Sequence, residues 1–172
     1  MSKPETATPP SYNPSTVGND AAARPWESVP ASVVEEVVEE IDHSIQRHNE
    51  EDALLAQMRD CFVEMQQAWD RADIAHLRTM MTQDMRDLLD ARLLEREQQG
   101  PSPHTTEIIV LEAHLLSREQ SEGRRLVSVE FSGMVRESPT QAPTPFREMW
   151  DMIKPLHDSA ARWLVAGVQS LQ

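Results

Sequence analysis

The sequence is poor in cysteine, glycine and aromatic residues, with one cysteine, five glycines and 5% aromatics among 172 residues. A single cysteine excludes an internal disulfide framework and a cysteine-rich zinc site. The first ten residues, MSKPETATPP, lack the apolar stretch of a secretory signal. No uncharged apolar run reaches the roughly 20 residues that span a bilayer. These absences predict a soluble, cytoplasmic chain with no transmembrane segment and no ordinary export signal.

Positive charge is also scarce. Sixteen Lys and Arg residues face 29 Asp and Glu residues, which gives a formal net charge of −13. Such a chain is repelled by nucleic acid phosphates and by anionic lipid headgroups. The densest basic cluster is the Arg pair in EGRRL, residues Glu122–Leu126. We therefore expect no nucleic acid partner.

Familiar catalytic motifs are missing. The sequence has no G-x-S-x-G, no phosphate-cradling glycine loop and no H-E-x-x-H. His43 and His48 are five residues apart, a poor spacing for one helix face, so a metal pair is disfavoured. Glu112 and His114 share a strand face as a conceivable acid–base pair, but that face is predicted to point away from any pocket. We expect no metal, no cofactor and no catalytic residue.

The N-terminal segment, residues 1–30, holds six of the twelve prolines and few large apolar side chains. Proline removes a backbone donor and disfavours helix at the preceding residue, and little apolar surface is available to offset the ordering entropy. The segment is predicted to be a disordered arm, with Trp26 and Val29 as candidates for docking.

The next segment, residues 31–50, is predicted to be an acidic amphipathic helix or linker. Over Ser32–His48 the apolar residues recur at intervals of three and four, which places them on one helix face, and acidic residues crowd the rest. Because valine is a modest helix former, this helix needs a partner. Packing on its own domain is the favoured interpretation, and a dedicated partner-binding helix is the alternative. The apolar residues are Val34, Val37, Val38, Ile41 and Ile45.

Residues 51–172 are predicted to form an α+β domain that begins with helices. An apolar stripe from residue 52 to 70 includes Cys61, which is predicted to be a buried inert thiol. Asp73 is predicted to cap a short helix over Ile74–Met81, and Thr82 a third helix that ends near Gly100 and Pro101. The stripe comprises Leu54, Leu55, Met58, Cys61, Phe62, Met65 and Trp69, and the third helix is expected to bury Met85, Leu88, Leu89 and Leu93.

After Pro103 the apolar period changes to two, which indicates strands. Four strands are predicted, the last two over Phe146–Ile153 and Arg162–Gln172, with a turn at Gly123. Gly133 and Gly167 interrupt strand interiors, which is typical of a bend or bulge in a curved sheet. The inward residues are predicted to be Ile109, Leu111, Ala113 and Leu115 on the first strand, and Val127, Val129, Phe131, Gly133 and Val135 on the second.

A long helix, two shorter helices and a curved four-stranded antiparallel sheet resemble the cone-shaped fold of nuclear transport factor two and ketosteroid isomerase. Within that fold, five segments in the same order resemble the Tim44-like domain, the C-terminal domain of the peripheral subunit that tethers the mitochondrial import motor. The resemblance covers about residues 53–172. The segments are FVEMQQAWDRADIAHLRTMMTQDM, LEAHLLSRE, VSVEFSGMVRES, PFREMWDMIKP and WLVAGVQSLQ.

The resemblance implies a non-enzymatic module, bound to lipid or a partner protein at a membrane, whose helices and concave sheet enclose an apolar pocket. The sequence departs from the family in two respects. A Pro-rich arm stands where bacterial relatives often carry a signal or membrane-spanning segment. Asp151 stands where His is expected after the pattern of Phe146, Glu148 and Trp150.

We therefore expect a non-catalytic binding or scaffold domain that takes a lipid-like apolar ligand or a partner protein, peripheral at the inner membrane. Two alternatives stay open. The first is a small cone-fold enzyme, isomerase- or hydrolase-like, with Asp84, Glu148 or Asp151 as its carboxylate. The second is a homodimer joined through the open face of the sheet. Met149 and Trp150 occupy opposite faces of one strand, so only one of them can point inward. The predicted pocket-lining residues are Phe62, Met65, Trp69, Phe131, Met149, Trp150 and Trp163.

Overall fold

The computed structural model describes residues 30–100 and 105–171. The predicted arm, with Trp26 and Val29, lies outside the described residues except for Pro30, as do Pro101 and Gln172. The chain divides into two compact units, the first ending at Arg47 and the second beginning at His48. The elements are three helices, α1 (Ala31–Asp70), α2 (Ile74–Thr79) and α3 (Gln83–Gln99), and four strands, β1 (Glu107–Ser121), β2 (Arg124–Arg136), β3 (Thr144–Pro155) and β4 (Leu164–Ser170). This α+β architecture, with an antiparallel, curled and open sheet, confirms the predicted fold class.

Helix α1 contains 40 residues, from Ala31 to Asp70. The sequence pattern predicts two helices here, over residues 32–48 and 52–70. The structure joins them because neither proline nor glycine occurs between residues 31 and 70. The helix ends at Asp70, whose carboxylate accepts hydrogen bonds from the Thr106 amide at 2.6 Å and the Thr106 hydroxyl at 3.1 Å. The end of α1 is thereby tied to the residue before β1.

The bend after α1 is made by a helix cap, as predicted. Asp73 precedes α2 and its carboxylate accepts a hydrogen bond of 3.2 Å from the His76 amide. Helix α2 ends at Thr79, two residues before the predicted end. Thr82 is the residue before α3, but its side chain makes no capping hydrogen bond, so the predicted second side-chain cap is wrong.

Helix α3 buries a narrower face than its sequence predicts. Leu89 is buried and Met85 and Leu93 are half-buried, whereas Leu88 is 61% exposed. Adjacent residues on a helix point about 100° apart, and the surface that packs on α3 covers Leu89 but does not extend to Leu88. The helix ends at Gly100, whose positive φ of 83° suits a residue without a Cβ atom.

The sheet is a meander in the order β1-β2-β3-β4, with every neighbouring pair antiparallel. Gly123, at φ 74°, lies in the β1–β2 turn, as the sequence predicts. Strand β3 is longer than predicted, and β4 is shorter. No helix among the described residues is long and apolar enough to cross a membrane.

A β-bulge reverses the predicted side-chain alternation at the start of β1. The pairing register with β2 shifts between Ile108 and Val110, so that Ile109 is an extra residue. Ile108 therefore packs against the core and Ile109 is exposed, which corrects the inward assignment of Ile109. Opposite the bulge, a Cβ atom on Gly133 would lie 1.9 Å from the Val110 carbonyl oxygen. Glycine is required there because the two backbones approach too closely for any side chain.

The core lies between the second half of α1, the α2–α3 region and one face of the sheet. It is entirely apolar among the described residues, with Met58, Leu77, Phe131 and Val165 among its fully enclosed side chains. The inward residues Ala113, Val127, Val129 and Phe131 are buried, as the two-residue period predicts.

Strand β4 makes hydrogen bonds on its far edge as well as with β3. The Val165 amide donates to the Met80 carbonyl at 2.8 Å, and the Thr82 amide donates to the Val165 carbonyl at 3.0 Å. The short segment between α2 and α3 thus extends the sheet at one residue, and this attachment positions α3 beside β4.

Candidate functional site

Four aromatic rings fill the space between α1 and the sheet. Phe62 of α1 lies 4.9 Å from Phe131, 5.4 Å from Phe146 and 5.0 Å from Trp150, measured between ring centres. Phe131 and Trp150 meet edge to face at 5.2 Å. Phe62 is stacked on Phe146 and tilted against Phe131 and Trp150. Offset-stacked and edge contacts are favoured arrangements of aromatic pairs. The interior of the cone at this level is therefore closed by side chains.

An open groove lies beside this aromatic cluster, between α3 and the later part of β4, with a volume of about 520 Å³. Its floor is apolar and includes Met65 and Trp69 of α1 and Trp150 of β3. A groove of this volume is within the size range of small-molecule sites. The remaining lining residues are Gln66, Leu77, Met81, Met85, Leu88, Leu89, Ala91, Arg92, Glu95, Glu148, Val168 and Ser170.

Three of the seven predicted pocket residues, Met65, Trp69 and Trp150, come together in this groove. Phe62 and Phe131 are buried in the aromatic cluster beside it. The other two lie elsewhere.

Trp163 is buried outside the groove, and its indole nitrogen donates to Gln57 Oε1 at 3.3 Å. Met149 pairs with Glu130 and Gln169, on the face opposite Trp150. Trp150 is thus the inward member of the Met149–Trp150 pair, and Met149 does not contribute to the groove.

Sequence reasoning assigned much of the groove wall to the core. Met85, Leu88 and Leu89 were predicted to be buried. Leu89 is buried, Met85 is half-buried and Leu88 is exposed, and all three line the groove. Methionine's flexible thioether adapts to irregular surfaces, and Met65, Met81 and Met85 form a soft patch there. The abundance of methionine was the signal in the sequence for this lining, although Met65 and Met81 are also core residues and Met58, Met80 and Met152 lie wholly in the core.

One end of the groove is fixed by Arg96 in the last turn of α3. Its guanidinium donates to the Trp69 carbonyl at 2.6 Å and lies over the Trp69 ring, 4.9 Å from the ring centre. The same carbonyl also accepts a hydrogen bond of 3.0 Å from the Ala72 amide. A cation is favoured beside it because helix carbonyls point toward the C-terminal end of a helix. Arg96 thereby holds α3 against the end of α1 and orients the indole that lines the groove.

The groove contains few polar groups. Glu148 is half-buried in it, and its Oε2 accepts a hydrogen bond of 2.9 Å from the Trp150 indole nitrogen. Arg92, Glu95 and Gln66 complete the polar part of the lining. Of the other candidate carboxylates, Asp84 is exposed in the first turn of α3, and Asp151 accepts a hydrogen bond of 2.5 Å from Ser128 on the opposite face of the sheet. Of these three candidate carboxylates, only Glu148 lines the groove.

A separate charged cluster joins α1, α2 and the residue two before β4. Glu64 accepts hydrogen bonds from Arg162 at 2.8 and 2.9 Å, and lies 2.7 Å from the His76 ring nitrogen. The Arg162 hydrogen bonds, together with His76, hold the pKa of Glu64 below its ordinary value, against a smaller opposing effect of burial. None of the three lines the groove. The cluster therefore connects α1, α2 and the segment before β4.

The neighbouring thiol of Cys61 is half-buried. Burial, and then the negative charge of Glu64, raise the pKa of Cys61, which favours the unreactive thiol form. Within residues 30–100 and 105–171, no three His, Cys, Asp or Glu side chains are grouped as a metal site would require.

Comparison with known proteins identifies the family. A search of the curated proteins found no match. The family model described as the Tim44-like domain matches residues 33–170. The match begins 20 residues earlier than the resemblance inferred from the sequence motifs, and so takes in the acidic part of α1. The chain therefore belongs to the Tim44-like domain family.

Proposed function

We propose that this protein is a non-catalytic binding domain that works at a membrane surface and holds a lipid-like apolar chain in the groove between α3 and β4. The observation that carries the proposal is the apolar floor of the groove, formed by Met65, Trp69, Met85, Leu89 and Trp150. Exposed apolar surface that is gathered in a groove and rimmed by polar residues is typical of ligand sites.

The polar residues suit an amphipathic ligand. An acyl chain would contact the methionines and indoles, and its polar head would reach Gln66, Arg92 or Glu95 at the rim. The net charge of −13 disfavours an anionic headgroup, so the lipid class that fits is zwitterionic or uncharged. Membership of the Tim44-like family supports the membrane-associated, non-enzymatic part of the proposal.

Two leucines of α3, Leu88 and Leu94, provide a matched test of binding in the groove. They are 61% and 60% exposed, and only Leu88 lines the groove. Because both are exposed, a charge at either site should change the free energy of unfolding by only about 0.5 kcal/mol. Leu88→Glu should weaken binding about tenfold, and Leu94→Glu should leave it unchanged. The measurement is titration with N-phenyl-1-naphthylamine and with phosphatidylcholine vesicles, alongside native mass spectrometry for copurified lipid. Equal binding by the two variants, or no binding by the wild type, would refute the groove proposal.

The alternative function is a small cone-fold enzyme, isomerase- or hydrolase-like, acting on an apolar substrate. The observation in its favour is Glu148, a carboxylate placed among apolar side chains and hydrogen-bonded to an indole. An enzyme of this kind would turn over a bound apolar substrate and lose turnover in Glu148→Gln while still binding it. Binding without conversion by the wild type would decide for the non-catalytic function.

Homodimerisation through the open face of the sheet is a further proposal. That face carries Met149 and the partly exposed Met134 beside charged pairs such as Arg147 and Glu130, whose nearest atoms are 2.9 Å apart. Sedimentation of wild type and Met149→Asp tests it. A dimer that the substitution dissociates would support the interface, and a monomeric wild type would refute it.

A further inference from the structure

The acidic part of α1 carries an apolar stripe that is exposed among the described residues. Every residue from Ala31 to Arg47 is exposed, including six large aliphatic residues that are 44–53% exposed. They recur at intervals of three and four, so they follow one side of the helix over more than three turns. The six are Val33, Val34, Val37, Val38, Ile41 and Ile45.

The composition of the stripe indicates a surface that is covered in use. Four of the six residues are valine, which loses side-chain freedom in a helix and contributes little to helix stability in isolation. Polar residues at these positions would make a better solvated helix. A continuous stripe of β-branched side chains gains free energy only when another apolar surface removes it from water.

The charges beside the stripe identify the chemistry of its partner. Glu35, Glu39 and Asp42 are spaced by four and three residues, so they form an acidic row along one edge of the stripe. Glu36 and Glu40 lie toward the opposite edge of the stripe, and residues 31–46 contain no Lys or Arg. Two copies of this segment would bring together surfaces with charge of the same sign, which disfavours self-pairing. Helices that lie on membranes carry Lys and Arg beside their apolar face, which is the reverse of this pattern.

We propose that residues 33–45 form a docking surface for a basic amphipathic helix of another protein. The partner helix would present aliphatic residues at intervals of three and four, with Lys or Arg along the edge that meets Glu35, Glu39 and Asp42. The apolar stripe supplies the contact area, and the acidic row selects the partner and fixes its register. This proposal goes beyond the lipid groove and does not depend on it, since no residue is shared between the two.

Two synthetic peptides of about 17 residues, long enough to form a helix, test the proposal on the full chain. Both carry leucine at intervals of three and four. One has lysine beside the leucines and the other has glutamate. Titration at about 50 mM and 500 mM salt should show the lysine peptide binding at least about tenfold more tightly at low salt, with a preference that shrinks as salt rises. Equal binding of the two peptides, or no binding of either, would overturn the proposal.

Variants separate the stripe from the acidic row. Ile41→Ser should weaken binding of the lysine peptide about tenfold. Leu94→Ser, at an exposed leucine of α3, should leave that binding unchanged. The double variant Glu39→Gln, Asp42→Asn should weaken binding of the lysine peptide by a smaller factor and should reduce the salt dependence of that binding. All four sites are exposed, and circular dichroism verifies that the helix is retained. Loss of binding in Leu88→Glu would place the peptide in the groove instead. A wild-type dimer that Ile41→Ser dissociates would show that a second copy occupies the stripe; either result refutes the proposal.

Discussion

The guanidinium of Arg96 donates a hydrogen bond of 2.6 Å to the Trp69 carbonyl and lies 4.9 Å from the centre of the same residue's ring. One side chain of α3 thus donates to a carbonyl at the end of α1 and stacks on the indole that lines the groove. The shape of the groove and the packing of α3 therefore depend on the same contact.

Arg96→Ala should lower the free energy of unfolding by about 1–3 kcal/mol, because it removes both a charge-assisted hydrogen bond and a cation–π contact. Arg92→Ala, one turn earlier on α3, is the control and should change stability much less. Urea unfolding of both variants measures the difference. Equal losses would mean that the Arg96 contact contributes little.

Gly133→Ala should destabilise the sheet by about 1–3 kcal/mol or more, as overpacking does. The new Cβ atom would lie 1.9 Å from the Val110 carbonyl oxygen, and backbone cannot move aside as a flexible side chain can. Gly167→Ala is the control, because its Cβ atom would lie 3.3 Å from Asp151 Oδ2, an atom that can shift. Thermal melts compare the two, and an equal or larger loss in Gly167→Ala would contradict the proposed role of the bulge.

Phe62→Ala should cost about 3–5 kcal/mol, since it empties the centre of the aromatic cluster. Trp69→Ala should cost less, about 1–3 kcal/mol, because its ring is only half-buried. The effect on binding should have the reverse order: Trp69→Ala should weaken binding of the apolar probe while the protein stays folded. Denaturant unfolding and probe titration at the same temperature measure both. A stability loss in Trp69→Ala as large as that in Phe62→Ala would place Trp69 in the core rather than on the groove.

The stability contributed by Glu64 should depend on pH. Arg162 and His76 lower its pKa in the folded state, so the unfolded chain takes up a proton more readily than the folded one as the pH falls below the ordinary value of about 4.5. The contribution is therefore present at neutral pH and is lost as the pH falls through the lowered pKa. Because the Arg162 and Glu64 side chains are 42% and 37% exposed, solvent screens the pair, and about 0.2–1 kcal/mol is expected.

The measurement is urea unfolding of wild type and Glu64→Gln at about pH 7 and about pH 3. The variant should be less stable at the higher pH, and the difference should shrink at the lower pH. Asp60→Asn, one turn earlier on α1, is the control for removal of an exposed carboxylate. A difference between Glu64→Gln and wild type that grows on acidification would show the opposite linkage.

Local signals predicted the elements that local chemistry determines. Asp73 is a good helix cap in any context, and the two-residue period of Val127, Val129 and Phe131 requires only a sheet with one buried face. The extra residue at Ile109 could not be found this way, because a bulge shifts the alternation without changing the residue types. The one sign of the bulge in the sequence was Gly133 on the neighbouring strand, since glycine inside a strand is typical of a bulge.

The groove was predicted in part for a related reason. Met65 and Trp69 lie on the face that the helix period assigns to the interior, so they were identified. For Met149 and Trp150 the strand period left open which of the two points inward. Whether an inward side chain lines a space or fills one depends on its neighbours in three dimensions. Phe146 closes the cluster around Phe62 and Phe131, and α3 stands far enough from β4 to leave Leu88 uncovered. Both the packing of Phe146 and the placement of α3 beside β4 involve several elements, so the pattern within one helix or strand does not predict them.

The hydrogen bonds of Val165 to Met80 and Thr82 also bear on aggregation. An outermost strand offers unpaired amides and carbonyls to the strands of other molecules, and proteins block this pairing by covering such strands. Here the cover is the junction of α2 and α3, which meets β4 at one residue. Heat or a mutation that releases this junction before the sheet unfolds would let β4 add to a neighbouring molecule. The resulting polymers would retain the native sheet, so the protein would lose solubility before it lost its strands.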